Sequence, residues 1–126
     1  MELALRDAIS GALNGDPTRL PSHVNQKVVE RIQRAAQKNA AMDAAKSETL
    51  AGKLEFCDLR ELEDTIMSKA LWPSFQERFV NKEGLASKFD QLAELRNGIR
   101  HSRTVNKITR MEGEAAVLWF EQVLNK

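Results

Sequence analysis

An arginine and a histidine in the last third of the chain have side chains that together could act on a phosphodiester. Arg96 is followed by Asn97, and His101 comes four residues after Asn97. A helix that continued to His101 would place Asn97 and His101 on one face. An arginine fork grips phosphate oxygens, and an imidazole can exchange protons at neutral pH. Transesterification of RNA needs both actions, and a histidine that merely caps a helix end is the structural alternative.

The residues around this pair are locally basic, although the whole protein has a formal net charge of only +1. The window from Leu95 to Met111 contains five basic residues and no acidic one, and the residues after it are acidic again. Such a window indicates a surface that faces a polyanion, but a solvated basic face is an equally good interpretation. Its basic residues are Arg96, Arg100, Arg103, Lys107 and Arg110.

The helix that would carry Arg96 is predicted over about residues 83–101 by apolar residues at helical spacing. Those residues are Leu85, Phe89, Leu92 and Ile99. Arg96 falls inside this apolar face, and a buried arginine needs a partner because it cannot easily lose its charge. Either it pairs with an acid such as Asp64 or Glu94, or it faces a cleft or a subunit interface. The residues alone leave both interpretations open.

The rest of the chain is predicted to supply more helices. Ala, Leu, Glu, Lys, Arg and Gln are abundant, whereas the 126 residues include only six glycines and three prolines. The apolar fraction of 42% is ordinary for a globular protein. No alternating strand pattern and no repeat is present. We therefore expect an all-α, antiparallel bundle of four to six helices that forms a single domain over residues 1–126.

Capping residues and apolar spacing predict where these helices begin and end. Ser22 is expected as an N-cap, and the pairs Asp58 with Glu61 and Thr109 with Glu112 are expected as capping boxes. The predicted segments are helices over residues 2–13, 22–47, 58–71, 73–80 and from 109 onward, and a connector that ends extended over residues 48–57.

The single cysteine and the hydropathy limit the compartment and the kind of site. Cys57 has no second cysteine with which to form an internal disulfide or a multi-cysteine metal site. No apolar run is long enough to span a bilayer, and residues 1–13 lack the apolar core of a signal peptide. We therefore expect a cytoplasmic protein without membrane contact. Helix capping and a solvated face explain the acidic residues at positions 58–64 better than a metal site does.

The segment Leu92–Ser102, with the sequence LAELRNGIRHS, resembles the signature of HEPN domains. That signature is an arginine, usually a polar residue next, and a histidine after a four-residue gap. Residues 54–89 are similar to the Swt-type branch, which occurs at the ends of larger prokaryotic defence proteins. The resemblance covers about residues 50–126, the motif-bearing part, whereas residues 1–50 match only as helices.

The resemblance implies a helical domain that dimerises so that the motifs of two chains meet in one cleft, and an RNase that needs no metal or cofactor. Arg96 would hold the scissile phosphate and stabilise the charge of the transition state. His101 would exchange protons with the 2′-hydroxyl or the leaving oxygen, and Asn97 would orient His101 or bind the phosphate. The product would carry a 2′,3′-cyclic phosphate. The basic residues outside the motif that we expect to track the RNA backbone are Arg100, Arg103, Lys107 and Arg110.

The expected function is therefore an RNA-cleaving effector of a defence or toxin system. Its expected partners are RNA, a second copy of the chain, and an antitoxin or an attached sensor domain. One alternative is a non-catalytic HEPN module for dimerisation or nucleic-acid binding in a larger defence protein. The other is a plain helical bundle in which the arginine and the histidine form internal pairs.

Overall fold

The structure, a computed structural model, describes residues 1–100 and 105–125, and it describes only the backbone of Arg100. Within these ranges there are eight α-helices, a 3-10 helix at Pro17–Arg19 and no strand. The all-α prediction is confirmed, although the helices outnumber the four to six that were expected. The α-helices are α1 (Glu2–Ala12), α2 (Ser22–Lys38), α3 (Ala44–Ser47), α4 (Leu50–Glu55), α5 (Leu59–Met67), α6 (Trp72–Phe79), α7 (Lys82–Arg100) and α8 (Lys107–Leu124).

One additional helix arises because the segment predicted as a single helix over residues 22–47 is broken. The break begins at Asn39, whose backbone is extended and whose side chain accepts a hydrogen bond from the Ala41 N–H. Asp43 then starts α3, because its carboxylate accepts a hydrogen bond from the Lys46 N–H at 3.2 Å. Local side-chain hydrogen bonds of this kind compete with helix continuation.

The predicted connector over residues 48–57 is also mostly helical. Thr49 begins α4, because its hydroxyl oxygen accepts a hydrogen bond from the Gly52 N–H at 3.0 Å. Gly52 is buried, and a Cβ at this position would collide with the carbonyl oxygen of Lys46. Gly52 is thus the place where the backbones of α3 and α4 approach closely.

Two predicted helix starts lie at other residues. Ser22 is the first residue of α2 rather than its cap, and Pro21 precedes it without a side-chain capping bond. The helix predicted to begin at Thr109 begins earlier, because the Asn106 side chain accepts a hydrogen bond from the Thr109 N–H at 2.8 Å. The last helix is therefore longer than expected and includes Lys107 in its first turn.

The chain divides into two compact units, residues 2–74 and residues 75–126 together with Met1. The first unit contains α1–α5, and α7 and α8 lie in the second. The division follows Ser74, whereas the motif-bearing part was expected to begin near residue 50. The prediction of a single domain stays a prediction.

The first unit has a buried ion pair beside its apolar residues. The Glu61 side chain is only 4% exposed and accepts two hydrogen bonds from the Arg31 guanidinium, one of them at 2.9 Å. Arg31 also donates to the carbonyl oxygen of Phe56 at 2.8 Å. Glu61 at the same time completes the predicted capping box with Asp58, which is confirmed. The pair therefore joins α2 to the start of α5. The apolar core of this unit includes Leu5, Ile9, Val24, Val28, Leu54, Leu62 and Ile66.

In the second unit, α7 and α8 pack against each other in antiparallel directions. The rings of Phe89 and Phe120 meet edge to face with their centroids 4.9 Å apart. Nearer the end of α7, Leu95 packs so closely against Gly113 that a Cβ added to Gly113 would lie only 2.5 Å from the Leu95 Cβ. Positions later in α7 thus contact positions earlier in α8. No helix in the described part of the chain combines the length and the apolar content needed to cross a membrane.

Candidate functional site

Arg96 and Asn97 lie on the exposed side of α7, close to its last described residue. The apolar face of α7 is buried as far as Leu92, as predicted. At its end, however, Gly98 is buried and Ile99 is 70% exposed. The spacing that placed Arg96 inside the apolar face therefore does not hold over the last turn. Arg96 is instead an exposed residue.

The buried face of α7 changes at its last turn because the residues around the start of α8 pack closely against it. The Val105 side chain occupies the place where a Cβ on Gly98 would project. One turn earlier on α7, Leu95 takes up the space beside Gly113. Two glycines therefore bring the chain segments together, and the face of α7 that carries Gly98 is the buried one. Arg96 and Asn97 are left on the other side.

Gly98→Ala should destabilise the protein by about 1–2 kcal/mol, because the new methyl group would collide with the stiff Val105 side chain. Alanine is intrinsically the better helix former by about 1 kcal/mol, so steric contact has to overcome that gain. Urea unfolding measures the difference. The matched control is Gly11→Ala in α1, where a Cβ meets nothing within 4 Å and a gain in stability is expected. A Gly98→Ala protein more stable than wild type, or no recovery when Val105→Ala is added, would contradict this packing.

The remaining motif residue, His101, lies outside the described residues, as does Arg103. The side chain of Arg100 is likewise not described, although its backbone belongs to α7. Asn97 and His101 lie on one face only if α7 continues one residue beyond Arg100. That shared face stays a prediction, and so does the role of each of these residues.

The structure places the described part of the basic window at one end of the α7–α8 pair. Lys107 is the first residue of α8, and Arg110 lies one turn later; both side chains are exposed. The contact between Val105 and Gly98 ties the start of α8 to the end of α7, which carries Arg96. Basic residues separated by up to fourteen positions are thereby brought to one end of the helix pair.

An acidic depression that was not predicted from the sequence lies beside this basic end. It has a volume of about 250 Å³, and Gln91 at its edge donates a hydrogen bond to Glu112 at 3.3 Å. Its acidic side chains repel phosphate, so it limits the surface that a polyanion could contact. The signal in the sequence was a pair of acids four residues apart on α7, opposite an acid early in α8. The lining residues are Asp90, Gln91, Glu94, Thr109 and Glu112.

Cys57 and the acidic residues at positions 58–64 have structural roles in the first unit. Burial raises the pKa of the Cys57 thiol to about 12, with a further contribution from the nearby Glu61 charge, so the thiolate is scarce at neutral pH. Asp58 and Glu61 form the capping box, and Asp64 lies 3.5 Å from the Nε2 atom of His23. Within residues 1–100 and 105–125, no three His, Cys, Asp or Glu side chains are grouped to hold a metal ion.

The end of α7 can therefore present hydrogen-bond donors to an anion. Arg96 contributes a planar guanidinium with five N–H donors, and Asn97 contributes a side-chain amide. Both side chains are exposed on the same turn of the helix. In comparisons with known proteins, no protein-family model, no curated protein and no solved structure matches this chain.

Proposed function

We propose that this chain is a metal-independent endoribonuclease of the HEPN type, which cleaves RNA through attack of a 2′-hydroxyl on the adjacent phosphate. The observation that carries the proposal is the exposure of Arg96 at the end of α7. Helical spacing would have buried this arginine in the helix pair, whereas an exposed arginine can be reached by a phosphate. An exposed arginine five positions before a histidine is instead suited to binding a phosphate for reaction.

The proposed reaction needs one proton acceptor, one proton donor and one cation. His101 takes the proton of the 2′-hydroxyl, the 2′ oxygen forms a bond to phosphorus, and the bond from phosphorus to the 5′ oxygen breaks. An imidazolium returns the proton to the leaving 5′ oxygen. Arg96 stabilises the charge that develops on the non-bridging oxygens, and Asn97 holds the phosphate or the imidazole. The products are a 2′,3′-cyclic phosphate and a 5′-hydroxyl.

The surface around the motif supports binding of the RNA backbone. Lys107 and Arg110 are exposed at the same end of the helix pair as Arg96. In the proposal they track phosphates on either side of the cleaved bond, together with Arg100 and Arg103. The acidic depression along α7 and α8 keeps the RNA away from the other side of this end.

The proposal extends to the biological setting that the resemblance implies. The enzyme would act in the cytoplasm as a defence or toxin effector, with no cofactor. A second copy would complete its cleft, and an antitoxin or an attached sensor domain would control it. These points rest on the resemblance of the motif LAELRNGIRHS and of residues 54–89.

A non-catalytic nucleic-acid-binding module is the second candidate, and the exposure of Lys107 and Arg110 supports it equally. The two functions make different demands on the residues. A binding module needs only the basic window, so Lys107→Ala combined with Arg110→Ala would weaken RNA binding, whereas His101→Ala would change little. The nuclease loses cleavage in His101→Ala while it still binds RNA.

The experiment that tests the proposal is incubation of the purified protein with mixed cellular RNA in excess EDTA. A folded His101→Ala protein serves as the control. We expect the wild type alone to cleave and to leave cyclic phosphate ends, with a loss of at least about a hundredfold in the variant. Equal cleavage by both proteins, or none by either, would contradict the nuclease and favour the non-catalytic binding module.

A further inference from the structure

The side of α8 away from α7 carries exposed apolar side chains, although α8 already buries its opposite face. Ala116, Phe120 and Val123 are buried. The exposed set, here called the α8 stripe, includes three large apolar side chains that are 58–69% exposed, together with an exposed alanine. Side chains spaced three and four residues apart form one line along a helix. The α8 stripe consists of Ile108, Met111, Ala115 and Leu118.

A line of apolar residues on an exposed helix indicates an interaction surface. The spacing of the α8 stripe is also the spacing at which one helix contacts another helix that lies along it. The occupant that the shape of this surface favours is therefore an amphipathic helix, whose own apolar face would cover the stripe.

Acidic side chains lie on both sides of the middle of the α8 stripe. Glu112 lies on one side, where it lines the acidic depression together with Asp90 and Glu94 of α7. Glu114 lies on the other side, and Glu121 follows about two turns later on that side. All five of these residues are exposed. An apolar line between two acidic edges is complementary to a helix whose apolar face is flanked by basic residues.

We propose that the α8 stripe binds an amphipathic helix of another protein, in which lysines or arginines flank the apolar face. The basic residues of α8 itself, Lys107 and Arg110, lie in its first turn, so acids set the charge of both edges from the second turn onward. Apolar contacts along the stripe supply affinity, and the acidic edges select a basic helix over an acidic one. The same edges repel a phosphate backbone, so the occupant is a protein and not RNA. The inference does not depend on the proposed function.

A second copy of the chain fits this surface less well than a basic helix does. In an antiparallel pair of α8 helices, Glu112 would face Glu112 and Glu114 would face Glu114, and like charges directly opposite each other are unfavourable. In a parallel pair Lys107 would meet Glu112, but Glu114 would meet Trp119 and would gain no basic residue of α8. A basic helix places a cation beside both central acids.

The test uses two synthetic peptides with the same leucines at the apolar positions, each as long as α8, which has 18 residues. One peptide has lysine at the positions that flank the leucines, and the other has glutamate there. We expect the full chain to bind the lysine peptide at least about a hundredfold more tightly than the glutamate peptide, because like charges would oppose each other along both edges in the second complex. Fluorescence anisotropy of the labelled peptides measures both dissociation constants. Binding of neither peptide, or equal binding of both, would overturn the proposal.

Variants of the chain locate the peptide on α8. Leu118→Asn removes an apolar contact without adding charge, and it should weaken binding of the lysine peptide by about tenfold or more. The matched control is Leu3→Asn on α1, since Leu3 is 72% exposed and lies outside the α8 stripe, and it should bind like wild type. Glu112→Lys combined with Glu114→Lys should reverse the preference between the two peptides. Circular dichroism checks that each variant remains helical. Unchanged binding by Leu118→Asn, or an unchanged preference in the double variant, would place the peptide elsewhere and overturn the proposal.

Sedimentation equilibrium of the wild type and of Leu118→Asn identifies a competing occupant. A wild-type dimer that Leu118→Asn dissociates would show that a second copy covers the α8 stripe, and would overturn the proposal. We expect instead that Leu118→Asn leaves the oligomeric state unchanged. None of these measurements uses RNA, so their outcome and that of the nuclease proposal are independent.

Discussion

Arg96→Ala is expected to lower the rate of RNA cleavage by about a hundredfold to a thousandfold, with little effect on stability. The guanidinium is the proposed donor to the phosphate, and removing one such donor from a transition state typically has an effect of this size. The side chain is exposed, so its truncation leaves no cavity. A surface ion pair of Arg96 would contribute at most about 1 kcal/mol to folding. Single-turnover cleavage of a labelled RNA and urea unfolding measure the two quantities.

Two further variants separate charge from geometry and from general surface effects. Arg96→Lys keeps the charge but loses the fork, so its cleavage rate should fall between those of wild type and Arg96→Ala. Arg78→Ala removes an exposed arginine of α6, outside the basic window, and should cleave like wild type. If Arg96→Ala instead lost several kcal/mol of stability, Arg96 would be a structural residue. Unchanged cleavage would remove it from the site.

Arg31→Ala is expected to lower the free energy of unfolding by about 3 kcal/mol. The substitution leaves the Glu61 carboxylate, only 4% exposed, without the guanidinium that donates two hydrogen bonds to it. Removing one partner of a buried pair typically costs about 3–5 kcal/mol. The Arg31 side chain is 35% exposed, so the lower end of that range applies. Urea unfolding beside Arg34→Ala, an exposed arginine on the same helix, is the measurement; equal stability of the two variants would contradict the role of the pair.

The same pair makes stability depend on pH. Burial raises the pKa of Glu61, but the Arg31 hydrogen bonds, the Asp58 N–H and the nearby positive charges lower it by more, so the pKa lies below its ordinary value of 4.5. A carboxyl whose pKa is lower when folded stabilises the protein above its unfolded pKa and loses that effect as pH falls through the folded value. Between pH 6 and pH 3, wild type should therefore lose more stability than Arg31→Ala. Parallel pH profiles would contradict this assignment.

The sequence predicted the fold best where one signal extended over many residues. The apolar repeat of α7 and the capping box of Asp58 with Glu61 were both visible in advance, because they use local spacing. The break at Asn39 and the short helix after Thr49 were not, because single side-chain hydrogen bonds decide them. A helix of four or six residues is too short to show a period.

The candidate site was located by sequence, but its surroundings depended on packing. The spacing of Arg96, Asn97 and His101 can be read from the chain alone. The exposure of Arg96 could not be predicted, because it follows from the packing of Gly98 against Val105 and of Gly113 against Leu95. The exposure of the apolar residues Ile108, Met111 and Leu118 on α8 could not be predicted for a related reason. Both faces of α8 are apolar, and only the structure distinguishes the face that α7 covers from the one that is exposed.

Whether the 2′-hydroxyl is the nucleophile is tested by comparing an RNA oligonucleotide with its 2′-deoxy counterpart, both incubated with wild-type protein in excess EDTA. The 2′-hydroxyl is the proposed nucleophile, so its removal should abolish cleavage while the two strands keep similar backbone charge. We expect cleavage of the RNA alone, with 2′,3′-cyclic phosphate and 5′-hydroxyl ends. Cleavage of the deoxy strand, 3′-hydroxyl ends, or activity that appears only when a divalent metal is added would contradict it.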